Sequence, residues 1–89
     1  MALRDTAPYF AWIERESPSA EAIFLASEFI AGVGERPWQA PSVPISALSD
    51  QPHYEVRTAH LVENTTTLRV WFRHTYATGD VDILEVTSF

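Results

Sequence analysis

The stretches YEVR (residues 54–57), LRVWFRH (68–74) and VDILEV (81–86) decide the fold of this 89-residue chain. Each is rich in β-branched and aromatic side chains, which strands favour. Only short polar segments separate them, and connections of that length join antiparallel neighbours, because a parallel crossover needs many more residues. The strands predicted in this way are 54–61, 67–74 and 80–88.

The residues before the strands predict a pair of helices. Thr6 followed by Pro8 is typical of a helix start, since Thr caps helices and Pro is tolerated in the first turn. This first helix is expected to end near Glu16. The predicted fold class is therefore α+β, with an N-terminal helical hairpin packed on a three- to four-stranded antiparallel sheet.

The whole chain is predicted to form one domain, because 89 residues supply one modest core. Its parts are a helical hairpin at residues 6–32, a Pro-rich loop at 33–52 and an antiparallel meander at 53–89.

The second predicted helix is apolar on almost all sides. Its start is predicted at Ser17-Pro18 and its end at Gly32 and Gly34. One sheet can cover only part of such a helix, so we expect it to contact a partner chain or a second copy. The residues expected at this contact are Phe24, Leu25 and Phe29.

The charge of the chain limits its partners. Six Arg and no Lys stand against twelve carboxylates, for a net charge of −6. This charge opposes non-specific attraction to nucleic acid, whose affinity comes largely from neutralised phosphates. Direct nucleic-acid binding is therefore not expected.

Cofactors and membranes are not expected either. The chain has no Cys, and its three His show no spacing typical of metal ligands, so we predict neither a metal nor another cofactor. The first residues lack the apolar segment of a signal peptide, and the longest apolar run is too short to span a bilayer. A cytoplasmic protein is predicted.

Basic and aromatic residues on the strands form the strongest candidate binding site. Alternation places Arg69, Trp71 and Arg73 on one face of their strand, and Arg57 joins them if the strand register permits. The guanidinium groups of arginine can each donate two parallel hydrogen bonds to an anionic group, and a neighbouring aromatic ring can stack on its partner, so this arrangement is suited to binding an anionic partner. The residues of this candidate site are Arg57, Arg69, Trp71, Arg73 and His74.

A structural alternative explains the same arginines. They can pair with carboxylates on adjacent strands, as cross-strand ion pairs commonly do. The carboxylates available for this are Glu55, Asp82 and Glu85. His74 can serve as a general base or be an ordinary surface residue, and no catalytic residue is assigned.

Together these stretches resemble the RelE/ParE toxin superfamily. FAWIE and AEAIFLASEFIAG stand in the place of its two helices, and the three strand stretches in the place of its sheet, so the resemblance covers residues 6–87. It implies a small toxin that a cognate antitoxin neutralises and that acts on ribosome-bound messenger RNA or on DNA gyrase. By the resemblance, Arg57 and Arg69 match the family's sheet arginines, and Arg73 and His74 lie beside them.

The chain departs from the nucleolytic branch of that family. That branch carries Lys residues ahead of the first sheet arginine and basic and Tyr residues beyond the last strand, where this chain has no Lys and only Phe89. The family's first strand is reduced to residues 1–4 at most. We therefore expect a toxin component or derivative of bacterial or phage origin that acts through protein contacts, with an antitoxin or a host target as partner and a homodimer also possible.

Two other functions fit the same sequence. An acidic inhibitor encoded by a phage or mobile element would imitate nucleic-acid phosphates and occupy the basic groove of a host enzyme. A small subunit of a larger assembly would leave its apolar helix uncovered. A positive sheet face favours the toxin hypothesis, and a continuous negative face favours the mimic.

Overall fold

The computed structural model describes residues 2–36, 42–44 and 54–88. Residues 37–41 and 45–53, which include most of the predicted Pro-rich loop, lie outside the described residues. The elements in chain order are β1 (Ala2–Asp5), α1 (Ala7–Glu16), α2 (Ala20–Glu35), β2 (Val43–Pro44), β3 (Tyr54–Glu63), β4 (Thr66–Thr75) and β5 (Asp80–Ser88).

The α+β prediction is confirmed. Strands β3, β4 and β5 pair as consecutive antiparallel neighbours, and both helices pack against the sheet. Among the described residues the sheet has five strands in the order β1-β5-β4-β3-β2, and it is mixed because β1 runs parallel to β5. The additional strands are the short β1 and β2 at its two edges.

The core lies between the helices and one face of the sheet. Trp12 of α1 is fully buried there. On α2 the buried positions recur every three or four residues, which is the spacing of one helix stripe. These positions are Ala22, Ala26, Ile30 and Val33. The sheet residues in the same core are Ala59, Leu61, Leu68, Val70, Phe72, Val81, Ile83 and Val86.

The start of α2 differs from the prediction. Ser17 does not cap α2; it ends α1 in the left-handed conformation, with φ 44° and ψ 56°. Ser19 caps α2 instead, and its Oγ accepts a hydrogen bond from the Ala22 amide at 3.2 Å. Two Ser residues flank Pro18, and the second of them caps α2. Helix α1 starts after Thr6 as predicted, but Thr6 makes no side-chain capping hydrogen bond; Asp5 Oδ1 instead accepts one from the Ala7 amide at 3.0 Å.

The end of α2 was also predicted wrongly, since the helix continues through Gly32 and Gly34 to Glu35. Gly34 is needed for packing: a Cβ atom there would lie 2.6 Å from Cγ of Leu3. The missing side chain lets β1 approach the C-terminal turn of α2. A Cβ on Gly32, by contrast, would meet nothing within 4 Å.

These two glycines provide a matched test of the packing. We expect Gly34→Ala to lower the free energy of unfolding by about 1–3 kcal/mol, because the Leu3 side chain must shift out of its place. Gly32→Ala is expected to raise it by about 0.5–1 kcal/mol, since Ala favours the helix and space is free. Urea denaturation of both variants measures the difference, and equal effects would contradict the close approach of β1.

In the described part of the chain, no helix has both the length and the apolar content needed to cross a membrane.

Candidate functional site

The strand register divides the predicted arginine site between the two faces of the sheet. Residues directly opposite each other in an antiparallel pair point to the same side. Arg57 lies opposite Phe72, so it belongs to the face on which the helices pack, here called the helix face. Arg69, Trp71 and Arg73 alternate to the other side, here called the far face. The register therefore does not permit Arg57 to share a face with Arg69 and Arg73, and the condition on which it was placed with them is not met.

Arg57 is held by hydrogen bonds to its own chain. Its Nε donates to Ser42 Oγ at 2.7 Å, and its Nη2 donates to the Ser42 carbonyl at 2.7 Å. Its Nη1 lies 2.8 Å from a carboxylate oxygen of Glu55. The guanidinium thus connects the residue before β2 to β3. Glu55 is one of the carboxylates named by the structural alternative, but it lies on the same strand as Arg57 and not on an adjacent one.

Arg73 takes part in an ion cluster on the far face. Its Nη2 lies 2.9 Å from Asp82 Oδ2, and Nε of Arg4 donates to Asp82 Oδ1 at 2.9 Å. Asp82 is only 3% exposed, and the guanidinium carbon of Arg73 lies 5.4 Å from the centre of the Tyr54 ring. Hydrogen bonds from Arg4 and then Arg73 hold the pKa of Asp82 below its usual range. The cluster ties β1, β4 and β5 together, so Arg73 also has a structural partner.

Arg69 is the strand arginine that keeps its charge available. Among the described residues it forms no ion pair, and its hydrogen bond to Thr58 Oγ1 is long at 3.3 Å. Trp71 lies two residues further on the same face and is half-buried. Of the predicted site, this leaves Arg69 and Trp71 as neighbours without a strong partner.

His74 belongs to a small polar cluster on the helix face, here called the His74 cluster (Glu55, Arg57, His74 and Tyr76). His74 lies opposite Glu55, and its ring meets the Tyr76 ring edge to face at 5.5 Å. Burial lowers the pKa of His74 and raises that of Tyr76; Glu55 raises both pKa values and Arg57 lowers both. These directions favour a neutral imidazole on His74 and a protonated phenol on Tyr76, so both rings can form hydrogen bonds without carrying charge.

Sequence reasoning missed Glu55 and Tyr76 as members of this cluster. Tyr76 comes two residues after His74 and directly after the end of β4. If the alternation of the strand continues for one more residue, Tyr76 lies on the same face as His74. That Glu55 lies opposite His74 can be seen only from the register of β3 and β4.

The predicted partner-contact residues of α2 do not share one environment. Leu25 and Phe29 are partly buried against the core, and the Phe29 ring lies 6.0 Å from Phe72. Phe24 is 60% exposed. It lies on the side of α2 that turns away from the sheet, here called the outer face of α2. The members of this face, all exposed, are Glu21, Phe24, Glu28, Ala31 and Glu35.

No metal site is visible in the described residues, since no three His, Asp or Glu side chains there are grouped to hold an ion. An open cavity of about 420 Å³ lies between α1 and β5. Its lining combines Asp5, Arg15 and Glu85 with the apolar side chains of Pro8 and Leu84. Arg15 is engaged there with Glu16 and with the Val86 carbonyl, so this cavity offers no free cation.

Comparison with known proteins gives no match. No protein-family model, curated protein or solved structure matches this chain. Its function must therefore be argued from its own residues.

The different surroundings of the arginines lead to a prediction about stability. Arg57→Ala is expected to lower the free energy of unfolding by about 1–3 kcal/mol, because it leaves Glu55 and Ser42 without their charged partner. Arg69→Ala is expected to change it by less than about 0.5 kcal/mol, as is usual for surface positions. Urea denaturation measures both, and a larger loss for Arg69→Ala would show that Arg69 is the structural residue.

Proposed function

We propose that this chain is a RelE/ParE-like component of a toxin–antitoxin module, or a derivative of one, that acts in the cytoplasm through protein contacts. The order of elements supports this: two helices precede the β3–β5 meander, and both pack on one face of it. The arginines support it as well. Arg57 and Arg73 are bound to carboxylates of the same chain, which leaves less free positive charge than an RNA-binding surface needs.

The observation that carries the proposal is the exposure of Phe24. The opposite side of α2 is buried on the sheet, so the helix is already fixed in place without this ring. Aromatic side chains contribute much of the binding energy at protein contacts, and Phe24, unlike Phe10, lies between two exposed carboxylates, Glu21 and Glu28, on one side of its helix. Phe24 was among the contact residues predicted from sequence.

A growth assay tests this proposal. Expression of the chain in a bacterial host should arrest growth, and the product of the adjacent small open reading frame should relieve the arrest. Phe24→Ala is expected to weaken the arrest or its relief strongly. Phe10→Ala is the matched control, because Phe10 is an equally exposed aromatic, at 59%, on the other helix.

The same assay can reject protein contact as the mode of action. If His74→Ala abolishes the arrest while Phe24→Ala leaves it intact, the activity belongs to the His74 cluster. If no variant and no neighbouring product changes growth, the toxin–antitoxin assignment fails.

A second candidate function, the acidic inhibitor, is favoured by one observation. Glu28 and Glu35 point outward from α2, and among the described residues neither forms an ion pair. Such a protein would compete with duplex DNA for the basic groove of an enzyme. Binding of the chain to such an enzyme that increases as duplex DNA is removed would favour this function over the first. Normal growth when the chain is expressed would support the same conclusion.

A further inference from the structure

The outer face of α2 combines an exposed aromatic ring with evenly spaced carboxylates. Glu21, Glu28 and Glu35 recur every seven residues, so they lie on one side of the helix, about 10 Å apart along its axis. Phe24 lies between the first two. Glu21 also accepts hydrogen bonds from Asn64 and Thr66, which leaves Glu28 and Glu35 as the carboxylates without a described partner.

The position of these carboxylates is unfavourable for the helix alone. Glu35 is the last residue of α2, where the helix dipole disfavours negative charge, and the last turn has no basic residue. Arg36 follows only at the C-cap, and it is exposed. A feature that weakens its own element without a local gain is typical of a functional surface. A cation from outside the chain would reduce the unfavourable negative charge at the end of α2.

We propose that the outer face of α2 binds a basic amphipathic helix of a partner protein. An apolar side chain of that helix packs on Phe24, and two Lys or Arg residues, about four and eleven positions from it, pair with Glu28 and Glu35. This inference rests on the proposed function, because the partner it describes is the antitoxin or target.

Small residues make room for a helix at this surface. Ala31 belongs to the face and Ala20 and Gly32 lie beside it; all three are exposed, and a Cβ on Gly32 would meet nothing within 4 Å. A neighbouring helix backbone can therefore approach closely along this side. An aromatic anchor beside such small residues can receive the apolar face of an amphipathic helix.

Charge argues against a second copy as the occupant. A two-fold contact places the same patch of each copy against itself. Here that would bring Glu28 and Glu35 of both copies together, and like charges across an interface are costly. The complementary occupant is a basic segment.

Titration with a designed peptide tests the inference. The probe is a synthetic helix of about 18 residues with Leu on one stripe and Lys at seven-residue intervals beside it. Amide NMR shifts of the intact chain should change along the outer face of α2, and binding should weaken at high salt. Phe24→Ala and the double variant Glu28→Gln/Glu35→Gln should each raise the Kd about tenfold. Phe10→Ala should leave it unchanged.

Three outcomes would overturn the inference. Shifts spread over other acidic regions would show non-specific attraction, as would equal binding by the parent and Phe24→Ala. Equal binding of a control peptide with Glu in place of each Lys would remove the charge argument. Self-association that Phe24→Ala abolishes would assign the face to a second copy. The titration does not depend on growth arrest, so its failure and that of the proposed function are distinguishable.

Discussion

Replacing Trp12 with Ala is expected to lower the free energy of unfolding by about 3–5 kcal/mol, because it removes the largest buried side chain of the core and leaves a cavity. Trp12 is 0% exposed and connects α1 to β5. Its indole Nε1 donates a hydrogen bond to Ser88 Oγ at 2.9 Å, and its ring lies 6.0 Å from that of Tyr9. Urea or thermal denaturation measures the loss.

Trp71→Ala is the control for this prediction. Trp71 is only partly buried on the far face, so its removal is expected to cost less than that of Trp12, about 1–2 kcal/mol. Trp12→Phe should fall between the two, since it keeps most apolar contacts but loses the hydrogen bond to Ser88. A greater loss for Trp71→Ala than for Trp12→Ala would contradict the assignment of the core to the helix face.

Asp82→Asn is expected to lower the free energy of unfolding by about 2–3 kcal/mol at neutral pH. Asp82 is almost fully buried and accepts charged hydrogen bonds from Arg4 and Arg73. Without the carboxylate, Arg73 loses its ion-pair partner in a partly buried position. The expected loss is below that of a fully buried pair, because both guanidinium groups reach solvent.

The contribution of Asp82 should depend on pH in a defined direction. Its pKa is lowered in the folded protein, chiefly by Arg4 and Arg73. A carboxylate of this kind stabilises the fold fully above its unfolded pKa of about 4 and loses that effect as pH falls through the lower folded value. The difference between parent and Asp82→Asn should therefore shrink below about pH 4. A constant difference from neutral to acidic pH would show that charge is not the cause.

The sequence predicts the β3–β5 meander well because its strands are long enough to show alternation. Leu68, Val70 and Phe72 are all fully buried, as their spacing indicates. β1 has only four residues, and its partner β5 lies at the other end of the chain, so no local sequence pattern predicts this strand. The extent of α2 was missed for a similar reason: Gly34 serves a contact with Leu3 that lies some thirty residues away in sequence.

The candidate site was predicted only in part. Alternation determines which residues of one strand share a face, but it does not determine which face of a neighbouring strand matches them. Arg69, Trp71 and Arg73 share a face as expected, whereas Arg57 does not. The β3–β4 turn decides this: Glu63 pairs with Thr66 across a two-residue turn in which Asn64 has φ 54°. A register shift of one residue would move Arg57 to the far face. The sequence alone left the register of this turn open.

We propose that this chain makes its functional contact through the outer face of α2. Light scattering on the chain copurified with the product of the adjacent open reading frame tests this. A stable complex is expected for the parent and for Phe10→Ala, and free chain for Phe24→Ala. A complex that survives Phe24→Ala but is lost in Arg69→Ala would contradict the claim, because the contact would then lie on the far face of the sheet.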